Sequence, residues 1–185
     1  TALSLAEPWK TVTLHNGETL RTRAVILAMG ASPRELGLPE ERSLRGRGVS
    51  YCATCDGAFF RGKTVVVVGG GDTAAADALV LSKLCERVIL VHRRDKLRAS
   101  PAYRKPMEAC ENLEYRWNCT VQEILHDKTV TGVRLQDLVA GGTEEIPCQG
   151  VFVAVGHMPN TQLCQGQIAL TEHGYVAAGE DTKTS

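Results

Sequence analysis

Several features that would assign this chain quickly are missing from it. Lysine plus arginine and aspartate plus glutamate number 21 each in 185 residues, so no net charge favours nucleic acid or an acidic membrane as a partner. No apolar run is long enough to span a bilayer, and the first residues lack the pattern of a signal peptide. A soluble, cytoplasmic protein is the expectation, with no nucleic acid and no membrane among its partners. There is no internal repeat and no low-complexity segment. An initiator methionine is missing too. The chain opens on Thr1 and closes on Thr182-Lys183-Thr184-Ser185 without a terminal helix or strand, which leads us to expect a piece of something longer.

What is present is an ordinary globular composition, 43% hydrophobic, sized for one domain or for one domain with pieces of another. The seven cysteines are Cys52, Cys55, Cys85, Cys110, Cys119, Cys148 and Cys164. An odd, scattered set is not a secreted disulfide scaffold. Only Cys52 and Cys55 are close in sequence, and the other five read as buried thiols.

The stretch Lys63 to Arg98 organises the rest. An apolar run, Val65–Val68, meets Gly69, Gly70 and Gly71, and Asp72 and Thr73 then open an Ala-rich helical pattern. Ala74, Ala78, Leu81 and Cys85 form one apolar stripe on that helix. A second apolar run, 87–91, follows. A bare glycine match is no more than a glycine-rich turn, but strand, glycine turn, helix and strand in this order form a dinucleotide-binding unit. The glycines let the backbone approach a pyrophosphate, which then faces the positive helix N-terminus.

Which dinucleotide is bound is decided at the end of the second strand. An NAD site would place a carboxylate there, whereas this chain has His92-Arg93-Arg94 and then Arg98. Guanidinium groups pair with a 2′-phosphate, so NADPH is favoured over NADH, and the loop's place at the adenosine ribose argues against a merely solvated basic loop.

Cys52-Ala53-Thr54-Cys55 has the spacing of a redox disulfide. It could equally be half of a zinc site, but no second Cys-x-x-Cys and no His pair at ligand spacing follows, so no metal site is expected. Two packed structural thiols are the other reading, and polar Thr54 and Asp56 argue against it. In the redox reading Asp56 moves protons as thiolates form and leave. Nicotinamide delivers a hydride, and a flavin ordinarily relays its two electrons to sulfur. A second complete glycine fingerprint is absent. Either the flavin is not used or its site lies outside these residues.

The remaining pattern is mostly β. Lys10–Leu14 and Thr19–Arg23 read as a hairpin turning at His15-Asn16-Gly17. Ala24–Ala28 (AVILA) reads as a strand buried on both faces, and 37–48 as a linker between two lobes. Ser100 caps a helix with Pro101 at its first position, and Pro106 shortens it. Strands are expected at 113–117, 120–125, 130–135, 144–147 (an edge strand, since it holds Pro147) and 150–155. His173-Gly174 turns between 168–170 and 175–177.

CATCDG, GGGDTA, HRRxxxR and GHxPN, in this order over essentially the full length, resemble the low-molecular-weight thioredoxin reductase family. The resemblance implies an α/β fold. A Rossmann-like three-layer NADPH-binding domain with a β-meander crossover (36–156) would be inserted between pieces of a second, FAD-binding domain (1–35 and 157–185). The family's FAD motifs would precede Thr1 and follow Ser185. Carried over by residue, Cys52 and Cys55 would be the redox disulfide and Asp56 its acid/base. Gly69, Gly70, Gly71, Asp72, Thr73 and Ala74 would line the NADPH pyrophosphate, and His92, Arg93, Arg94 and Arg98 would hold the 2′-phosphate. Gly156 and His157 at the domain junction, with Ala28 and Gly30 of the Ala-Thr-Gly strand end, would complete the cofactor set. Met29 stands where the family has threonine, and Ala76 and Asp77 where many members have glutamates. The 37–48 and 156–160 segments are the implied hinges of a domain rotation.

The function so implied is an NADPH-dependent flavoprotein disulfide reductase, taking electrons from NADPH through FAD to Cys52–Cys55 and on to thioredoxin, homodimeric at full length. Residues 1–185 alone would bind flavin poorly and be inactive. The alternatives are a related reductase of a peroxidase or glutaredoxin-like protein, and a stand-alone NADPH-binding redox sensor without turnover.

Overall fold

A computed structural model of the chain describes every residue except Glu7. The backbone divides into two compact units, Thr1–Ser32 with His157–Ser185, and Pro33–Gly156.

In the first unit β1 (Ala2–Ser4), β2 (Lys10–Thr13) and β3 (Thr19–Thr22) form an antiparallel sheet in that order. The β2–β3 hairpin turns at 15–17, where Gly17 has φ +87° and Asn16 Oδ1 accepts from Glu18 N at 3.0 Å. The Ala24–Ala28 run differs from its expectation. It joins no sheet, and Ile26 is 92% exposed. A buried strand needs ladder partners for its N–H and C=O groups and cover on both faces, and no described strand supplies them. A short strand, β4 (Ala31–Pro33), follows.

The second unit contains β5 (Val49–Ser50), α1 (Ala53–Asp56), β6 (Thr64–Gly69), α2 (Asp72–Ser82) and β7 (Arg87–His92). It continues with α3 (Pro101–Met107), β8 (Leu113–Trp117), β9 (Cys119–His126), β10 (Val130–Asp137), β11 (Thr143–Pro147) and β12 (Gly150–Ala154). Five of these strands make a parallel sheet ordered β5-β12-β6-β7-β8, and β9, β10 and β11 make an antiparallel meander. The period of two in the strands explains the layering. Val65, Val67, Val88, Leu90 and Phe152 pack with Ala74, Ala78, Leu81 and Met107 on the helical face. Val66, Val68, Ile89, Val91 and Val151 pack with Ile124, Val133, Leu135 and Ile146 of the meander on the other. Continuous apolar runs are what a sheet covered on both faces requires, and each such side chain contributes about 1.5–3 kcal/mol on burial.

Punctuation residues behave as their chemistry demands. Ser100 occupies the N-cap of α3 with Pro101 behind it, although its hydroxyl makes no capping bond, and Pro106 lies one residue from the helix end. Pro147 lies on β11, which pairs with β10 at the edge of the meander. The 37–48 segment corrects its expectation as a linker. It lies inside the second unit, with Leu44 and Glu41 buried, because Glu41 finds enough donors to be satisfied there. The chain then returns to the first unit through β13 (His157–Pro159), which pairs with β4, and a single bridge joins Leu170 to Val176 around the 171–174 turn.

Candidate nucleotide cavity and redox turn

The carboxyl ends of β6, β7 and β12 open on a cavity of about 480 Å³. The glycine turn, Thr73, His92, Arg93, Arg98 and Gly156 line it. This is where an open parallel sheet binds ligands, since the strand ends and helix N-termini converge there. Gly69 has φ +152°, and a Cβ on it would sit 2.3 Å from the Ala154 carbonyl oxygen and 2.8 Å from the Ala74 methyl. A Cβ on Gly71 would meet nothing within 4 Å. Among the described residues no side chain caps α2, so its first amides are left to a ligand.

The basic loop after β7 is fixed to this turn by its backbone. Gly70 O accepts from Arg98 N at 2.7 Å and from Ala99 N at 3.2 Å. Asp72 Oδ1 accepts from Ser100 N at 2.6 Å. Arg93, Arg94 and Arg98 are exposed and make no ion pair among the described residues. His92 is different. It is 6% exposed, with its ring against Gly70 and edge-on to Trp117 at 6.4 Å, and its Nε2 is buried without a hydrogen-bond partner. Burial, then the charges of Arg98 and Arg94, hold its pKa below the ordinary 6.5.

An orphaned ring nitrogen, a glycine cradle, an uncapped helix and unpaired guanidinium groups fit a phosphorylated dinucleotide. The cavity gathers Gly69, Gly70, Gly71, Thr73, His92, Arg93, Arg98 and Gly156 of the expected residues. Asp72, Ala74 and Arg94 do not line it: Asp72 braces the basic loop, and Ala74 is buried against Gly69. Ala28, Gly30 and His157 belong to the first unit. There Asn160 N donates to Gly30 O at 3.0 Å and Asn160 Nδ2 to Met29 O at 3.0 Å, while Ser32 Oγ donates to Asn160 Oδ1 at 3.0 Å. That role for the last residue of GHMPN was not read from the sequence.

Cys52 and Cys55 form a disulfide with Cα atoms 5.3 Å apart. Cys52 is the N-cap of α1, and its Sγ accepts from Cys55 N at 3.2 Å. Cys55 is exposed, Cys52 and Asp56 half-buried. Ser50, 4% exposed, donates its hydroxyl to Asp56 Oδ2 at 2.6 Å, and its Oγ accepts from Cys52 N at 3.1 Å. One buried hydroxyl thus holds both the carboxyl group and the backbone of the redox turn. Sequence reasoning missed Ser50, whose only signal was its place two residues ahead of the first cysteine. Of the remaining thiols, Cys85, Cys119, Cys148 and Cys164 are buried and Cys110 is half-buried. Burial pushes Cys85 up to about 11 and Cys148 up to about 12, which keeps both protonated and inert. No group of three or more His, Cys, Asp or Glu among the described residues could hold a metal ion.

Comparison with known proteins finds relatives along the whole chain. A thioredoxin reductase of Mycolicibacterium smegmatis is 48% identical over 185 residues, which is 100% of this chain and 59% of the relative. One from Streptomyces clavuligerus is 46% identical over 177 residues, 95% of this chain and 55% of the relative. The crystal structure of Lactococcus lactis thioredoxin reductase matches with a TM-score of 0.88 at 32% identity, covering 100% of this chain and 61% of that one. The chain therefore spans somewhat more than half the length of these three proteins. The profile of the pyridine nucleotide-disulphide oxidoreductases extends over residues 1–185 without remainder, and the chain belongs to that family.

Proposed function

We propose that this chain carries the NADPH-binding and dithiol part of a flavoprotein disulfide reductase that acts on thioredoxin. The observation that carries the reading is the Cys52–Cys55 disulfide, braced with Asp56 by Ser50, in the same unit as a glycine-turn cavity bordered by Arg93 and Arg98.

When bound, NADPH supplies a hydride and FAD passes its two electrons to sulfur. This chain's residues do the rest. The glycine turn and the α2 amides would seat the pyrophosphate, and Arg93, together with Arg98 whose backbone N donates to Gly70 O, would pair with the 2′-phosphate. Two electrons break the Cys52–Cys55 bond, and with two protons they leave two thiols. One thiolate then attacks the disulfide of the partner, forming a mixed disulfide that the second cysteine resolves. The partner leaves as a dithiol and Cys52–Cys55 is re-formed. Asp56, fixed by the Ser50 hydroxyl, takes and returns the proton. Phe59, three residues past α1, is 74% exposed, an apolar side chain for a protein partner to cover.

The FAD contacts of Ala28 and Gly30 belong to the first unit and need segments beyond these residues, where the Ala24–Ala28 run would also find its sheet. Five cysteines outside disulfides support a cytoplasmic setting, and homodimerisation belongs to the full-length protein. The test is turnover by the full-length protein with NADPH and thioredoxin, beside NADH and beside a glutaredoxin-like or peroxidase substrate. NADPH oxidation dependent on thioredoxin is expected. Turnover with NADH and a peroxidase alone would refute the reading.

A further inference from the structure

Between the cavity wall and the redox turn runs the 34–45 segment, which contains no regular helix or strand. At one end Arg34, Glu35 and Leu36 line the cavity. Its centre is Glu41, whose side chain is fully buried, a rare position for a carboxyl group. Both oxygens are engaged. Oε1 accepts from Leu36 N at 3.0 Å and from the Tyr51 hydroxyl at 2.7 Å, and Oε2 accepts from Gly37 N at 2.9 Å. Tyr51 is the residue before Cys52, and the Arg45 guanidinium lies 5.2 Å over its ring. Two neighbours reinforce the bracket. Arg42 pairs with Glu35 at 2.9 Å, and Glu40 Oε1 accepts from Ile124 N of β9 at 3.2 Å.

A segment without ladder bonds of its own is placed by such side-chain anchors, and a buried carboxyl group is retained only if its partners satisfy it. We propose that Glu41 is a positioning residue which sets two working parts of the unit at once: the Arg34–Leu36 wall of the nucleotide cavity, and the Tyr51–Cys52 peptide ahead of the disulfide. Glu41 does not line the cavity, and its bonds go to Leu36, Gly37 and Tyr51 and not to either sulfur. It acts through the Leu36 and Gly37 amides on one side and through the Tyr51 hydroxyl on the other. The inference rests on the function proposed above, because it takes the cavity to be the nucleotide site and Cys52–Cys55 to be the redox pair.

Two substitutions separate the halves. Tyr51→Phe removes only the hydroxyl, whereas Glu41→Gln turns an NH2 toward one of the backbone donors and so disturbs the wall as well. The full-length, flavin-loaded protein is titrated with NADP⁺, which binds without reducing the oxidised protein. The Cys52–Cys55 pair is separately equilibrated in a dithiothreitol buffer and its thiols trapped. Loss of one buried hydrogen bond, read through these equilibria, predicts about a threefold to tenfold change. Y51F is expected to shift the thiol–disulfide equilibrium toward dithiol by about that factor and to leave NADP⁺ affinity within about twofold. E41Q is expected to shift both, and the double variant to match E41Q.

A folded E41Q with wild-type NADP⁺ affinity overturns the proposal, since a merely structural role would lower the melting temperature and leave the bound-state readouts alone. Additive effects in the double variant overturn it too. Should E41Q not fold, Y51F decides, and an unchanged thiol–disulfide equilibrium counts against. A wild-type protein that does not bind NADP⁺ would refute the functional reading and the cavity half of this inference, while the trapped-thiol measurement still judges the other half.

Discussion

Gly70 and His92 fit against each other so tightly that a Cβ on Gly70 would lie 2.2 Å from His92 Cε1 and 2.3 Å from its Nδ1. The glycine turn and the end of β7 are therefore one packed object. His92 was expected beside the arginines as a phosphate ligand. Its burial adds a second duty, which is to seat the turn on which the pyrophosphate would rest.

Gly70→Ala should destabilise the protein by about 1–3 kcal/mol, the usual cost of forcing atoms into a filled core. In a His92→Ala background the same change should cost under about 1 kcal/mol, because the ring that obstructs it is gone. Urea unfolding of the four proteins in a double-mutant cycle measures the coupling. Equal costs in both backgrounds would show that the ring is not the obstacle.

Acidification should act through the same histidine. Its folded pKa lies below the unfolded 6.5, so between those two values the unfolded state binds more protons. Stability is then full above about pH 6.5 and falls as the pH drops toward the folded pKa. The charges around the ring come from Arg98, Arg94 and Arg93. The difference in unfolding free energy between wild type and His92→Gln, measured from pH 7.5 to 5, should move against wild type. A flat difference would contradict this.

Nucleotide choice should follow Arg93 and Arg98. Charge-assisted bonds to phosphate contribute about 1.5–3 kcal/mol each, so Arg98→Ala should weaken NADPH binding about tenfold to a hundredfold. NADH binding should change by less than about twofold, since its ribose carries no phosphate. Titration of the full-length protein with both nucleotides gives the ratio. Equal losses would mean that the loop acts by position and not by charge.

Asp72 makes a contrasting case. Asp72→Asn weakens the 2.6 Å bond to Ser100 N without removing any group from the cavity wall. NADPH affinity should fall by about threefold to tenfold, with amide exchange rising at Ser100 and Ala99. Lost affinity with unchanged exchange would point to direct contact with the nucleotide instead.

At the redox turn, Cys52→Ser should abolish disulfide-dependent turnover while leaving NADPH binding intact, because the cavity contains neither Cys52 nor Cys55. Asp56→Asn should keep the disulfide and slow thiol exchange by about tenfold to a thousandfold, the range for a lost general acid/base. Stopped-flow reduction with NADPH followed by thioredoxin resolves the two steps. Wild-type turnover in Cys52→Ser would end the redox reading.

Local chemistry was legible wherever it is carried by neighbours in the chain. The glycine turn, the small-residue face of α2, the basic loop and the cysteine spacing each specify their geometry within a few residues. The apolar run Val65–Val68 was legible as the strand that leads into the glycine turn, and Pro147 announced an edge. Only the tertiary structure could decide what distant residues do to one another. It buried Glu41 beneath a supposed linker, turned Asp72 into a brace for Ser100, brought Ser50 under Asp56, and left Ile26 of an equally apolar run in solvent. The physical reason is the same in each case. A sequence pattern states which groups want burial or a hydrogen bond, but whether a partner arrives depends on strands and loops tens of residues away, and the Ala24–Ala28 run is where none did.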